Sequence, residues 1–575
     1  MKKYLFIIIT ILFFAGCKQT GKKEYDVKQT DKREYYVKPV KFVCNYPFNE
    51  TSKWAVTCRV WGLLKYYHPN VTTGNLDWDK VLLDRLDNIN EASTYEQVNT
   101  ELMGMISDAG PYFRMPDNTW NDSLNMNVNL CWLDHSFISQ PIKQELRKIA
   151  SLKVYLPSRY VGNQDPRNYE NALGFDNEKD YPDFIVTQSY KLRMLALFRY
   201  WNVVYYFFAF KHLMDQSWDV VLDEFIPQFM NASDNKEYHE VINKISTKLN
   251  DGHAFTSVTP RLDWKSPEDH FFYNIIAMID TNRVVRTPPE GSFLKSGDIV
   301  KSINGQDVND FTDSIATIFP SSNSHYLNAV VNVLIGNTIM DGCLLTVSRG
   351  GKELNVRELP KKQATLTESP PFHMISSETG YFNVGLIKTT AEVIDIMKKI
   401  EHIPAVIFDL RNYPHPTCLF IMCFLTSDPQ LYLGREYIHD LAHCGSFYIN
   451  EGFADCPPDS IIDCSKKYRG KIVVLTYALT MSFPEALAMH FRNYGGATLI
   501  GTPTAGAHGN VSWFSMPGGI MAHLATVGKL DANGEIRGQG KGVIPDIEVY
   551  PTMESIMEGK DEILEEAIKY INSLR

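Results

Sequence analysis

Basic charge is in short supply in this chain: 57 Lys and Arg face 67 Asp and Glu, a formal net charge of −10. That balance excludes nucleic acid as the main partner, because no basic excess exists to neutralise phosphates. Zinc signatures are missing too. No HExxH occurs, no two cysteines stand as CxxC, and no His/Cys cluster has ligand spacing, so neither a metal nor an organic cofactor is implied. Long apolar runs are equally scarce. The one that opens the chain, Tyr4 to Phe14, is too short to span a bilayer, and no later segment reaches that length. The remainder, 44% hydrophobic and 22% charged, is ordinary for a globular protein. At 575 residues the chain outgrows a single core and should hold roughly three or four domains.

The N-terminus carries an address. Met1-Lys2-Lys3 is a charged start, the apolar run follows, and Phe14-Ala15-Gly16-Cys17 places small residues directly before a cysteine. This resembles a bacterial lipoprotein signal, residues 1–17, with Cys17 as the lipid attachment site. Residues 18–43 are polar and Lys-rich and read as a flexible tether. The expected location is the bacterial cell envelope, held to the membrane through an N-terminal lipid. Setting Cys17 aside leaves nine of the ten cysteines, an odd number that requires at least one free thiol. Cys456 with Cys464, or Cys44 with Cys131, could bridge.

An internal repeat occupies the next part. CRVWGLLKYYHPNV from Cys58 matches FRYWNVVYYFFAFK from Phe198, with Trp61 and Trp201 in register. DWDKVLLDRL from Asp77 matches SWDVVLDEFI from Ser217, with Trp78 answering Trp218 at the same offset of 218 − 78 = 140. Segments from Thr94 and Glu237 then run to Asp108-Ala109-Gly110 and Asp251-Gly252-His253. Each copy reads as amphipathic helices whose aromatics fill a core. The division is 44–185 for copy 1 with an irregular insert, and 186–271 for copy 2.

From about 272 to 360 short strands and turns take over. GDIVKSINGQDV, with Asn304-Gly305 between alternating apolar residues, is a strong hairpin signal. It resembles the second strand pair of a PDZ module, a fold that adds extended peptides to a sheet edge. From 376 to 575 the pattern becomes alternating α/β, with strands at Gly380 to Ile387, Ala405 to Leu410 and Ile472 to Thr476, and a closing helix from about Gly559. Ser482 falls between the last of these strands and an apolar-periodic helix. Serine nucleophiles are often held at such a junction, where free helix N–H groups can stabilise an oxyanion. Ser482 also reads as a plain N-cap, with Glu485 three residues on as in a capping box.

Six motifs in order bear on that choice: NDGHAFT at Asn250, GDIVKSINGQDV, IFDLRNYP at Ile407, TMSFPEALAM at Thr480, GTPTAGAHGN at Gly501 and GVIPDI at Gly542. Over about 190–575 they resemble the C-terminal-processing (tail-specific) serine peptidase family, in its tricorn-like Ser/His branch. The resemblance implies a multidomain α+β chain: a helical repeat region, a PDZ-like β module and an α/β core of ClpP/crotonase type. It implies a peptidase that hydrolyses peptide bonds of proteins or peptides through an acyl-enzyme. Ser482 would be the nucleophile, the Phe483 N–H an oxyanion donor, and His253 of Asp251-Gly252-His253 the base. In the Ser/Lys branch the base lies in the Thr504–Asn510 loop, where this chain has Ala507; His508 there is the alternative base. Gln539 stands near the family's histidine-orienting glutamate, with Glu535 four residues earlier, and Glu485 supports the serine segment. Pro414 has no N–H where relatives have a Gly-rich oxyanion turn, which points to His415 as second donor. The alternative implied by these departures is a catalytically weak or inactive peptide- or polymer-binding lipoprotein that keeps the protease fold.

Overall fold

Helix α1 (Ser52–Tyr67) and its counterpart are buried on nearly every side, as expected of helices apolar all round. The structure, a computed structural model, describes residues 50–112, 125–126, 128–152, 158–163, 171–175, 177–260, 262, 275–361, 370–457, 462, 467–530, 536 and 538–574. Cys17, Cys44, Cys464 and Glu535 lie outside them. Among the described residues, no helix is long and apolar enough to cross a membrane.

Helices α2 (Tyr95–Ala109), α3 (Tyr190–Phe207), α4 (Trp218–Asn231) and α5 (Asn235–Thr247) are among the other helices of this part. The two matched segments make matching bonds. Trp61 Nε1 donates to Trp78 O and Trp78 Nε1 to Trp61 O, both at 3.1 Å; Trp201 and Trp218 exchange the same pair at 2.9 Å. Charges cross between the copies reciprocally. Arg59 pairs with Asp219 and Arg199 with Asp79, each at 2.8 Å and buried. Gly62 makes this closeness possible, since a Cβ there would stand 1.8 Å from Asn202 Oδ1, the residue at its equivalent position. The helix caps are Thr94 and Asp234, again 140 apart. The motif match that pairs Thr94 with Glu237 is therefore three residues late, and three extra residues fall within the last helix and turn of copy 2.

Five strands, β1 (Ile276–Ile279), β2 (Asn282–Val285), β3 (Ile299–Ile303), β4 (Leu344–Arg349) and β5 (Lys352–Arg357), run in chain order through a six-stranded antiparallel sheet, whose sixth member, Gln306–Asp307, pairs with β3. Asn304 (φ 50°) and Gly305 (φ 85°) make the tight turn after β3, as their sequence predicts. Between β3 and β4 the chain forms an 18-residue helix, α6 (Ser324–Asp341), in a region read as short strands and turns. Its buried face packs on β1.

Strands β6 (Phe372–Met374), β7 (Thr379–Asn383), β8 (Ala405–Asp409), β9 (Lys471–Thr476), β10 (Thr498–Gly501) and β11 (Ile547–Glu548) build the core sheet in that order, parallel except for β6. The strand expected over Gly380 to Ile387 stops at Asn383, where the chain turns into a 3₁₀ segment, Val384–Leu386. Helix α7 (Phe483–Gly495) covers one face of the sheet, and α8 (Glu562–Ser573) the other. A further antiparallel sheet includes Gln430–Asp440, Ser446–Asp455, Asn510–Met516 and Ile520–Leu530. It clasps the helical part. Arg199 reaches Ser515 O at 2.8 Å, and Ser257 N and His523 N bond across to Met521 O and Phe255 O at 2.8 and 3.1 Å. The chain following α5 is thereby pinned to the sheet.

Candidate active site

In open α/β sheets, ligands collect beyond the carboxyl ends of parallel strands. Here the loops leaving β8, β9 and β10 are stitched together at that edge. Thr480 Oγ1 donates to Leu410 O (3.2 Å), Ala505 N to Thr480 O (2.9 Å), Ser482 N to Ala507 O (2.9 Å) and Gly540 N to Gly506 O (2.7 Å). Gly506 has φ +75°, and a Cβ there would lie 2.7 Å from Gly540 O, so the close approach requires glycine.

Ser482 is the N-cap of α7, but its backbone is unlike that of an ordinary cap. It has φ 69° and ψ −120°, whereas the other capping-box residues, Thr94, Thr389 and Thr552, have φ of −131°, −132° and −116°. Positive φ at a non-glycine residue is strain of about 1–3 kcal/mol, which capping does not require. Pro484 sits in the first turn, where a missing N–H is harmless. The Phe483 N–H opens the helix and donates to no acceptor among the described residues.

Glu485 is fully buried and serves as a clamp. Its Oε2 accepts from Ser482 N (2.9 Å) and Ala507 N (3.2 Å), and its Oε1 from Gly506 N (2.9 Å) and the Thr504 hydroxyl. Burial lifts its carboxyl to about 7, against the pull of those hydrogen bonds.

His253 arrives from the helical part. It is 4% exposed, and the loop holding it abuts the loop beside Ser482: a Cβ on Gly252 would stand 3.4 Å from Ala507 Cβ, and Gly252 N donates to Ser322 Oγ at 2.8 Å. Burial lowers the His253 pKa, and Asp251 opposes that shift. His508 is close by, its N–H donating to Gln539 Oε1 at 2.8 Å. Burial, then Lys529, His490 and His253, depress its ring to about 3, while a hydrogen bond to the Ser482 backbone opposes them. His523 is pushed to about 4 by burial and then by His253.

The structure thus brings Ser482, Phe483, Glu485, His253, His508 and Gln539 into one cluster. The groups that Gln539 meets are His508 N and the Asp251 carboxyl. Sequence reasoning passed over Asp251, Thr504 and the backbone of Gly506-Ala507 as functional groups, although all lie inside quoted motifs. At the Asn412–His415 turn, Asn412 is bonded to Asn383 at 2.9 Å and His415 caps a 3₁₀ helix, Pro416–Phe424. That 3₁₀ helix is tied down by a disulfide, Cys423–Cys456, which corrects the Cys456/Cys464 pairing. The reason is topological: the register of the Gln430–Asp440 and Ser446–Asp455 strands brings Cys456 back to Pro429, bonding at 2.8 Å. Cys131 is disulfide-bonded as well. No group of three or more His, Cys, Asp or Glu among the described residues could hold a metal.

No curated protein is significantly similar to this chain. Among solved structures, a CPAF point mutant is 14% identical with a TM-score of 0.50, covering 68% of this chain and 98% of its own. That likeness concerns the fold alone. The photosystem II D1 C-terminal processing protease (14% identity, 64% and 98% covered, TM-score 0.35) and a lipoprotein from Streptococcus agalactiae (11%, 67% and 96%, 0.31) are also similar. Residues 423–549, which hold Ser482, His508 and Gln539 but not His253, match the family described as Peptidase family S41.

Proposed function

We propose that the chain is a serine-type peptidase in which Ser482 attacks the peptide carbonyl and His253 takes its proton. The observation that carries this reading is the strained Ser482 backbone at the carboxyl edge of the sheet, beside a loop presenting a buried histidine. The Ser482 proton passes to His253, and the Phe483 N–H receives the oxyanion of the tetrahedral intermediate. His253 then protonates the leaving amine and later activates the water that releases the acyl group.

His253 is favoured over His508 as base for an electrostatic reason. A base becomes a cation during the reaction, and only His253 has a carboxylate acting on it. The charged neighbours of His508 are Lys529 and other histidines, all of which oppose protonation. The remaining assignments belong to the same proposal: a tricorn-like branch, a PDZ-like module over 272–360, a helical repeat before it, and lipid anchoring at Cys17 in the cell envelope.

A second reading, an inactive peptide-binding form, is favoured by one observation. Gln539 is uncharged where the family's acid is expected, and His253 Nδ1 has no hydrogen-bond partner. A fluorophosphonate probe separates the two. Labelling of wild type and not of Ser482→Ala supports the peptidase; absence of labelling from pH 5 to 9 in folded wild type refutes it. Digestion of a peptide library by the labelled-competent protein then tests peptide over ester substrates.

A further inference from the structure

Asp251 is fully buried, yet only half of its carboxylate is used. Its Oδ1 accepts the His253 N–H at 3.0 Å, closing a local turn. Its Oδ2 makes no hydrogen bond of normal geometry, and the Gln539 side chain is the weakest of the groups acting on the carboxyl. The His253 ring lies on the same side, with Nδ1 3.9 Å from Oδ1, and Nδ1 is also buried and unpartnered. An asparagine would serve the turn equally well. A carboxylate with an idle buried oxygen beside an idle buried ring nitrogen is an expensive arrangement unless the two groups meet at some stage. Catalytic hydrogen bonds are often long in the resting state and tighten as charge develops.

We infer that Asp251 is the positioning residue of His253, its carboxylate facing Nδ1–H and stabilising the imidazolium that forms when Nε2 takes the Ser482 proton. The inference rests on the Ser482/His253 reading above and supplies its missing acid. Gln539 then acts one step removed from the ring. It holds Asp251 in place and ties it to the loop of Ser482 through His508 N. The charge environment agrees. Burial raises the Asp251 pKa, while His253, its N–H and Gln539 draw it down. Groups facing the pair from neighbouring elements are Tyr200 on α3, His508 after β10 and His523 on the Ile520–Leu530 strand. None is an acid, and Asp251 is the one carboxylate that acts on His253 among the described residues.

The test uses the full chain with Asp251→Asn, Asp251→Glu and Ser482→Ala. Two readouts are taken: the fluorophosphonate labelling rate from pH 5 to 9, and the His253 ring titration by NMR of histidine-labelled protein, assigned against His253→Gln. Asp251→Asn keeps the turn and removes the charge. It should slow labelling about 10²- to 10⁴-fold and lower the His253 pKa by about one unit or more. Asp251→Glu should recover labelling to within about tenfold of wild type, since it keeps the charge. Labelling of Asp251→Asn within about threefold of wild type, or an unmoved His253 titration, overturns the inference. If wild type itself is not labelled, the peptidase reading fails, and the titration alone decides for or against the pair. If Asp251→Asn does not fold, Gln539→Leu replaces it. Loss of the amide should raise Asp251 and move the acid limb of labelling to higher pH, and an unmoved limb overturns the inference.

Discussion

Replacing Glu485 by glutamine tests whether the Ser482 segment is held from behind by a carboxylate. Each carboxylate oxygen takes two donors: Gly506 N and Thr504 Oγ1 on one, Ser482 N and Ala507 N on the other. Glutamine has a single acceptor oxygen, so one pair is kept and the other faces an NH₂ group. Ser482 N keeps Ala507 O as a second acceptor, so one or two buried donors are left unsatisfied, and at about 1–3 kcal/mol each the loss is about 1–6 kcal/mol. Urea unfolding at pH 7.5, disulfides intact, would measure it. The pH dependence adds a sign. Burial raises Glu485 from 4.5 to about 7. A raised carboxyl contributes stability that is complete below pH 4.5 and is lost as pH rises through about 7. Glutamine does not titrate. The gap between wild type and variant should therefore widen on acidification, by up to about 3 kcal/mol for a shift of this size. A loss below about 0.5 kcal/mol, or a gap that narrows toward pH 5, would refute the clamp.

Other outcomes follow from the same geometry. At Ser482, glycine relieves the φ 69° strain and alanine does not, so Ser482→Gly should be more stable than Ser482→Ala by about 1 kcal/mol, with both unlabelled by fluorophosphonate; equal stabilities would show that the backbone is relaxed. Removing the Cys423–Cys456 bridge by a double serine substitution should lower stability by about 3–4 kcal/mol for a separation of 33 residues, read from urea midpoints, and no change would mean the region is ordered without it. Burial depresses His212, His490 and His523 to about 4 and His439 and His508 to about 3. Depressed histidines contribute stability that is full above the unfolded value near 6.5 and is lost as pH falls toward 3–4. Five such groups outweigh the opposite slope of Glu485, so the Tm should fall steeply below pH 6.5. A flat Tm between pH 7.5 and 5 would contradict this.

The features legible in the sequence were those written in local chemistry. Asn304-Gly305 encodes its turn through backbone preference, and the Ser482/Glu485 spacing encodes the start of a helix. The paired tryptophans mark an offset of 140 that the structure repeats in their hydrogen bonds. Helix α6 was illegible because SHYLNAVVNVLIGNTIMD has no clear polar face. It packs on a sheet and against the core loops, so apolar residues appear on most of its turns. The partner of Cys456 depends on a strand register that no local pattern reveals. The same holds for Gln539. Its position near GVIPDI implies an indirect link to the base, and the groups it meets, Asp251 and the His508 backbone, are set by the fold.

The two matched segments end in different surroundings. Copy 1 closes at Asp108, a half-exposed carboxylate paired with Arg85 on the surface. Such a pair contributes about 1 kcal/mol or less and performs no chemistry. Copy 2 closes at Asp251, buried and without any arginine, with the His253 ring beside it. The difference comes from what covers each end. The chain after Asp251 is bonded to the Ile520–Leu530 strand, and Gly252 packs close to Ala507 in the loop after β10. Those contacts exclude the water that keeps Asp108 an ordinary surface acid. The reciprocal pairs Arg59–Asp219 and Arg199–Asp79 tie α4 to α1 and α3 to the Trp78–Leu83 helix, so the matched segments cannot shift independently. Breaking either pair would leave a buried charge uncompensated, at about 3–5 kcal/mol. Arg199→Met is thus expected to do more than destabilise the helices. It should also slow labelling of Ser482, because α3 carries Tyr200 against Asp251 and Arg199 itself holds Ser515 O of the clasping sheet. Unfolding and labelling measured on the same variant distinguish the two effects: a stability loss with an unchanged labelling rate in the folded protein would show that the helical part supports the site without aligning it.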